Sequence, residues 1–305
     1  MLDVALMLEG QDGLNWPRWK RFAEAAEELG YAGLYRSDHF TNPEGPHLDA
    51  IELWTSFTYL ASTTKRIEFG PMVSPVSFRN PVVTAWTAAA IDDLSGGRFH
   101  LGLGAGWQER EHRSYGFDLL DVRPRFDRFE EALQVITQLL KSDTPTAFNG
   151  DYYHLEDALL LPRPARPGGP PIVIGGNGPK LTLPLVARFA DEWNGVYVPA
   201  AKFADLSSQL DRLLEQAERA TSDVKRTLMT RVVVGSSDSE AEAKFDGDVS
   251  DARARGVIIG GPERVLDALG KLNEAGVQRV MAQWLDMDDF DGVELLASKV
   301  LSQLK

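Results

Sequence analysis

The chain has 305 residues, 43% of them hydrophobic, a net charge of −13 and no cysteine. Without cysteine there are no disulfides, thiolate zinc sites, iron–sulfur clusters or cysteine nucleophile, and so acidic a surface repels phosphate backbones, which argues against a nucleic-acid partner. No apolar run reaches about 18 residues, so no membrane span is expected, and MLDVALMLEG reads as a first core strand rather than a secretion signal, which makes the cytoplasm the expected location.

From the N-terminus, short β-rich runs alternate with amphipathic segments. VALML (4–8) predicts a strand and WPRWKRFAEAAEELG (16–30) a helix, with Phe22, Ala25, Ala26 and Leu29 at helical spacing and Gly30 as the stop. GLYRSDH (33–39) is a second strand, 49–63 a helix, and IEFGPMVS (67–74) a third strand. Helix 80–97 opens at Pro81 and stops at Gly96-Gly97. RFHLGLGAG (98–106) is the fourth strand and 123–140 the fourth helix. An insertion of about 142–170 interrupts the alternation with a hairpin turning at Asn149-Gly150 and a proline-rich crossing. Strands at 171–176, 193–199, 229–235 and 277–286 then alternate with helices at 179–190, 201–220, 238–256, 261–276 and 289–305.

Eight strands, each followed by helix, imply a parallel sheet covered by helices. In this length they match a closed (β/α)8 TIM barrel, with a doubly wound sheet as the alternative. No composition break divides residues 1–305, so one domain is expected. Reactive groups in such a barrel gather where the strands end. Those ends carry Glu9-Gly10, Ser37-Asp38-His39, Met72-Val73-Ser74, Gly104-Ala105-Gly106-Trp107, Gly175-Gly176-Asn177-Gly178 and Asn194.

The five histidines form neither H-x-H nor H-E-x-x-H, and no dedicated metal centre is expected. GLGAG (102–106) and GGNG (175–178) let backbone approach a ligand; GGNG opens a helix whose free N–H groups can hold a phosphate, with Lys180 adding a cation. Trp107-Gln108-Glu109 stands where a dinucleotide fingerprint needs its last glycine, which disfavours a Rossmann site. From the residues alone, GPMVSP (70–75) is a turn. Asp38-His39 either caps the next turn or handles a proton.

Taken in series, SDHF, GPMVSPVSFRNP, GLGAGWQEREHRSYGF, RFDRFEEAL and IGGNGPK…ARFADEWN resemble the luciferase-like monooxygenase superfamily, in the branch that uses the deazaflavin coenzyme F420. The resemblance implies a barrel with an insertion, a homodimer, a small-molecule substrate and a (deaza)flavin at the mouth, with FMN as the alternative cofactor. It implies a non-proline cis peptide at Met72-Val73, with Ser74 following, that pushes a bulge against the ring. It implies that Asp38 bonds the polar edge of the ring and that His39 binds or protonates substrate. Gly104, Ala105, Gly106 and Trp107 would line the ribityl side. Gly175, Gly176, Asn177 and Gly178 would receive the phosphate with Lys180, and His112 and Tyr115 would reach the tail. Arg79, Arg110 and Arg113 would add positive field. Sugar-phosphate dehydrogenases of this frame place a glutamate where Trp107 stands, so its absence argues against a sugar phosphate. Three functions follow: an F420-dependent oxidoreductase, an FMN monooxygenase served by a separate reductase, or a non-catalytic flavin-binding protein.

Overall fold

The structure is a computed structural model and describes residues 2–304. Its strands are β1 (Asp3–Leu8), β2 (Gly33–Arg36), β3 (Glu68–Pro71), β4 (Ser74–Pro75), β5 (Leu101–Gly104), β6 (Thr146–Asn149) and β7 (His154–Ala158). They continue as β8 (Ile172–Gly175), β9 (Glu192–Val196), β10 (Lys225–Val234), β11 (Ile258–Gly260) and β12 (Arg279–Trp284). The helices are α1 (Trp16–Glu28), α2 (Leu53–Thr63), α3 (Pro81–Ser95), α4 (Glu109–Tyr115), α5 (Val122–Lys141) and α6 (Thr182–Phe189). After them come α7 (Ala200–Gln216), α8 (Asp238–Ala243), α9 (Val249–Ala254), α10 (Pro262–Glu274) and α11 (Phe290–Lys299).

Eight of these strands run parallel and stand side by side in chain order, β3-β2-β1-β12-β10-β9-β8-β5. A parallel bridge between Phe69 and Phe99 joins the two ends, so the sheet closes into the expected (β/α)8 barrel. Local chemistry starts the helices where the sequence indicates. Asn15 accepts from the Arg18 amide ahead of α1, and Asn80 from the Val82 amide ahead of α3, each with proline in the first turn. Gly96 ends α3 in the left-handed region. Of the spaced positions, Phe22 and Ala26 of α1 are buried and Ala25 and Leu29 partly so, while Trp19 and Ala23 join the buried face. In the insertion β6 and β7 pair antiparallel, and the Gly150 amide donates to Tyr153 across the turn.

Two stretches depart from the sequence reading. The span 238–256 is two short helices, α8 and α9, each capped by its own side chain (Ser237 and Asp248), and Gly247 between them has φ +126°. The short strand β11 then pairs with β10. The segment after Gly106 forms α4, a helix the periodicity did not indicate.

Inside the barrel, Ala5, Met7, Tyr35, Met72, Val173, Met229 and Met281 pack as one apolar group. At the strand starts beneath them, charges meet. Arg279 bonds Glu68 at 2.6 Å and Asp3 at 3.4 Å, while His100 lies 3.3 Å from Glu68 and 3.5 Å from Glu192. This sealed floor leaves the opposite end as the open one. No described helix is long and apolar enough to cross a membrane.

Candidate active site

At the open end the strand tips surround a cavity of about 560 Å³. That volume suits a small-molecule or cofactor site. Of the residues singled out in the sequence, Glu9, Ser37, His39, Met72, Val73, Gly106, Trp107, Gly175, Gly176, Asn177 and Asn194 line it.

The Met72–Val73 peptide is cis, and β3 ends there. Val73 swells into the barrel because two glycines make room. A Cβ on Gly104 would stand 2.7 Å from Val73 Cγ2, and one on Gly175 3.2 Å from Val73 Cγ1. Asp38 does not face the cavity. Its buried carboxylate accepts from Ser74 Oγ at 2.7 Å and from both terminal nitrogens of Arg79. Asp38 therefore braces the loop that carries the bulge, with Ser74 and Arg79 as its partners.

His39 is held differently. Its Nδ1 donates to Glu111 Oε1 at 2.8 Å, and the Phe40 amide donates to the other oxygen of the same carboxylate at 3.0 Å. Glu111 is wholly buried. Trp107 meets the His39 ring edge-on, with centroids 5.7 Å apart. With Nδ1 engaged, Nε2 is the ring nitrogen left for a ligand. Burial alone pulls the His39 pKa down; the hydrogen bond and charge of Glu111, with Glu9 and Asp38 behind it, outweigh that and raise it. The raised pKa favours the protonated imidazole, which can exchange its proton with whatever sits in the cavity.

The facing wall is a hydrogen-bonded array. Tyr197 donates to Gln283, whose amide donates to Glu9; Gln11 donates to the other Glu9 oxygen at 3.1 Å, and Ser37 donates to Gln11 at 2.8 Å. Burial, and then the charge of Glu9, pushes the Tyr197 phenol up to about 12. No lysine or arginine lines the cavity among the described residues.

The remaining singled-out residues lie outside the lining. Gly104 stands behind Val73, Ala105 is buried in the core, and Gly178 packs on Thr182. His112 donates from Nδ1 to the Gln108 carbonyl at 2.6 Å and accepts from Ser77 at Nε2 at 2.8 Å; burial lowers its pKa, so it is a neutral strut. Tyr115 is half-exposed and packs on Phe40. Lys180 is exposed on an outer groove with Arg123 and Arg188. Arg110 is spent on the carbonyls of Asn42 and Gly45. The Asn177 side chain bonds both backbone groups of Val196, splicing the loop after β8 to β9.

The family model for luciferase-like monooxygenases matches residues 4–256. The chain belongs to the luciferase-like monooxygenase family. Among curated members of that family, it is 34% identical over 218 residues to an F420-dependent glucose-6-phosphate dehydrogenase of Amycolatopsis mediterranei, covering 68% of this chain and 62% of that protein. It is 30% identical over 216 residues to 4-hydroxyprotoasukamycin monooxygenase of Streptomyces nodosus subsp. asukaensis, covering 68% of this chain and 56% of that one. The chain thus spans less than two thirds of the length of these relatives. A solved F420-dependent secondary alcohol dehydrogenase in complex with an F420-acetone adduct has the same fold, with a TM-score of 0.85, 19% identity, and coverage of 99% of this chain and 98% of that one.

Within this member of the luciferase-like family, sequence reasoning missed Glu111 and most of the array. Glu9 was visible as a strand-end acid. Glu111 lies on the unforeseen α4, four residues past Trp107, and its only signal was a carboxylate in a stretch already rich in EREH charges. Gln11, Tyr197 and Gln283 carry none, because their meeting depends on closure of the barrel.

Proposed function

We propose that the protein is an F420-dependent oxidoreductase that moves a hydride between the deazaflavin and an organic hydroxyl or carbonyl compound. One observation carries the reading: His39 presents one free ring nitrogen to a ring-sized cavity while the buried Glu111 holds the other. Removing hydride from the carbon of an alcohol leaves a hydroxyl proton to be taken away, and forming an alcohol from a carbonyl requires one to be supplied. His39 is the proton-exchanging group positioned for both. Bound F420 supplies the hydride acceptor or donor.

The residues suit such a ring. Val73, with Met72, forms an apolar shelf for one face, and Trp107 stands at the rim. The first turn of α6 is not a free anion site, because the Thr182 and Leu183 amides both donate to the Gly178 carbonyl and Pro184 has no N–H; a phosphate here would rest on the backbone of the Gly175–Gly178 loop ahead of the helix. The 34% identity to an F420-dependent dehydrogenase supports the cofactor. The monooxygenase relative at 30% identity keeps FMN as the second reading. A purely flavin-storing protein has no use for the Glu111–His39 pair. We also read the protein as a homodimer, supported by the exposed apolar stripe Val83, Trp86 and Leu94 on α3, with Leu161 beside it; sedimentation of a Trp86→Glu variant as a monomer is the check.

The test is titration of the purified protein with F420 and with FMN, following ligand fluorescence. F420 is expected to bind the more tightly. Tight FMN binding with negligible F420 binding overturns the cofactor assignment.

A further inference from the structure

A second cavity, of about 470 Å³, adjoins the first at the barrel mouth. The two share Tyr197 and Leu285, which form the partition between them. Beyond the partition the lining includes the apolar Phe245, Ala252, Ala254 and Val257 and two charged residues, Arg231 and Arg255. The break between α8 and α9 makes this chamber, because it brings Phe245 back over β10, where the Arg231 guanidinium lies 4.7 Å from the ring centroid.

Arg231 stands apart from its neighbours in charge balance. It sits at the mouth end of β10, in register with Gln283 of the inner array. It is half-buried, and its guanidinium forms no hydrogen bond or ion pair with a described residue, although Asp286 and Asp289 share a neighbouring groove with it. The nearby cations have partners: Arg255 bonds Asp251 at 2.8 Å and Lys244 bonds Asp289 at 3.2 Å. A fork of five donors stacked on an aromatic ring, with no acceptor, is a ready receptor for a carboxylate or similar anion. The inner cavity is the reverse, holding Glu9 and no lysine or arginine. In a chain of net charge −13, an anionic group gains from Arg231 and is repelled beside Glu9.

We propose that this outer chamber binds the distal end of the substrate, and that the substrate is amphipathic: an uncharged hydroxyl or carbonyl end reaches His39, and an apolar segment crosses Tyr197 and Leu285 to an anionic group on Arg231. The identity of the ligand as substrate rests on the oxidoreductase reading; the chemistry of the chamber does not. This polarity favours hydroxy or oxo acids with a hydrophobic body over small neutral alcohols and over compounds whose charge lies next to the reacting carbon.

The probe is octanoate, compared with octan-1-ol, in calorimetric titrations of the cofactor-free protein. Octanoate is expected to bind more tightly than octan-1-ol. Arg231→Gln weakens octanoate by about tenfold and leaves octan-1-ol unchanged, the loss of one charge-assisted contact. Ala254→Trp, an exposed position on the chamber wall, blocks both by filling the space. The proposal is overturned if octanoate binds no better than the alcohol, or if Arg231→Gln leaves the difference intact in a variant with the wild-type melting curve. F420 titration of the same samples separates the two readings: octanoate binding without F420 binding removes the cofactor assignment alone, and F420 binding without octanoate binding removes the chamber alone.

Discussion

His100 and His39 are both largely shielded imidazoles held by carboxylates, one at the floor of the barrel and one at its mouth. In both, burial works against the proton and the neighbouring carboxylates outweigh it, so both pKa values are raised. The difference lies in what is left over. His100 has a carboxylate near each ring nitrogen, Glu68 on one side and Glu192 on the other, with Arg279 completing the charge balance. His39 has Glu111 on one nitrogen and a cavity before it. A perturbed titration therefore does not by itself mark a site; it marks one only where a partner is still missing.

Substitution separates the two ends. His39→Ala is expected to lower kcat with F420 by about 10²–10⁴, with cofactor binding and the melting temperature retained. Arg279→Leu does the opposite. It leaves the partly exposed Glu68 short of its cation and costs about 1.5–3 kcal/mol in denaturant unfolding, while turnover per folded molecule persists. A His39→Ala protein that keeps its turnover erases the distinction.

The pH dependence of stability sharpens it. The raised pKa of His100 makes its contribution full below the unfolded value, about 6.5, and lost as pH rises through the folded one. Glu68 and Glu192 are lowered, although burial opposes this, by their contacts with His100 and Arg279. Their contributions are full above about 4.5 and lost as pH falls through the depressed values. The stability gap between wild type and His100→Gln should therefore be widest between about pH 4.5 and 6.5, read from urea midpoints across that range.

The same pair shows how far the sequence could be read. Strand and helix periods sufficed for the barrel, because each element buries one face and the alternation is regular. The strand-end rule then picked out His39, Met72-Val73, Gly106-Trp107 and Gly175–Asn177, all of which meet around one cavity. It could not rank Asp38 against His39. They are adjacent in the chain, but one turns to Ser74 and Arg79 and the other to the cavity. Nor could it find Glu111, which acts through a nitrogen 72 residues away, or Arg231, whose importance is that nothing answers it. Periodicity is local, whereas satisfaction of charge depends on which distant segments the closed barrel brings together. The break at Phe245–Asp248 was hidden for a related reason. Ala241, Phe245, Val249 and Ala252 keep helical spacing across it, so the period runs on through the break and only Gly247, at φ +126°, marks where the helix stops.

Two smaller effects test the mouth itself. Glu111→Gln keeps a hydrogen-bond acceptor for His39 Nδ1 but removes the charge that raises its pKa. The pH profile should shift to lower values, with carbonyl reduction near neutral pH falling by about tenfold and alcohol oxidation extending further into acid. A merely structural role for Glu111 predicts lost stability with an unmoved profile. Lys180→Ala is the smallest change. The side chain is exposed on a groove with Arg123, Arg188, Asp127 and Glu130, outside the cavity, where the two acids are paired with the two arginines. A cation so placed acts on a bound phosphate only through screened solvent. Its loss should weaken F420 by less than about threefold at low ionic strength and by nothing measurable in high salt. A tenfold loss that survives salt would mean direct contact. The cofactor tail would then leave the mouth over α6 rather than settle on the backbone of the Gly175–Gly178 loop.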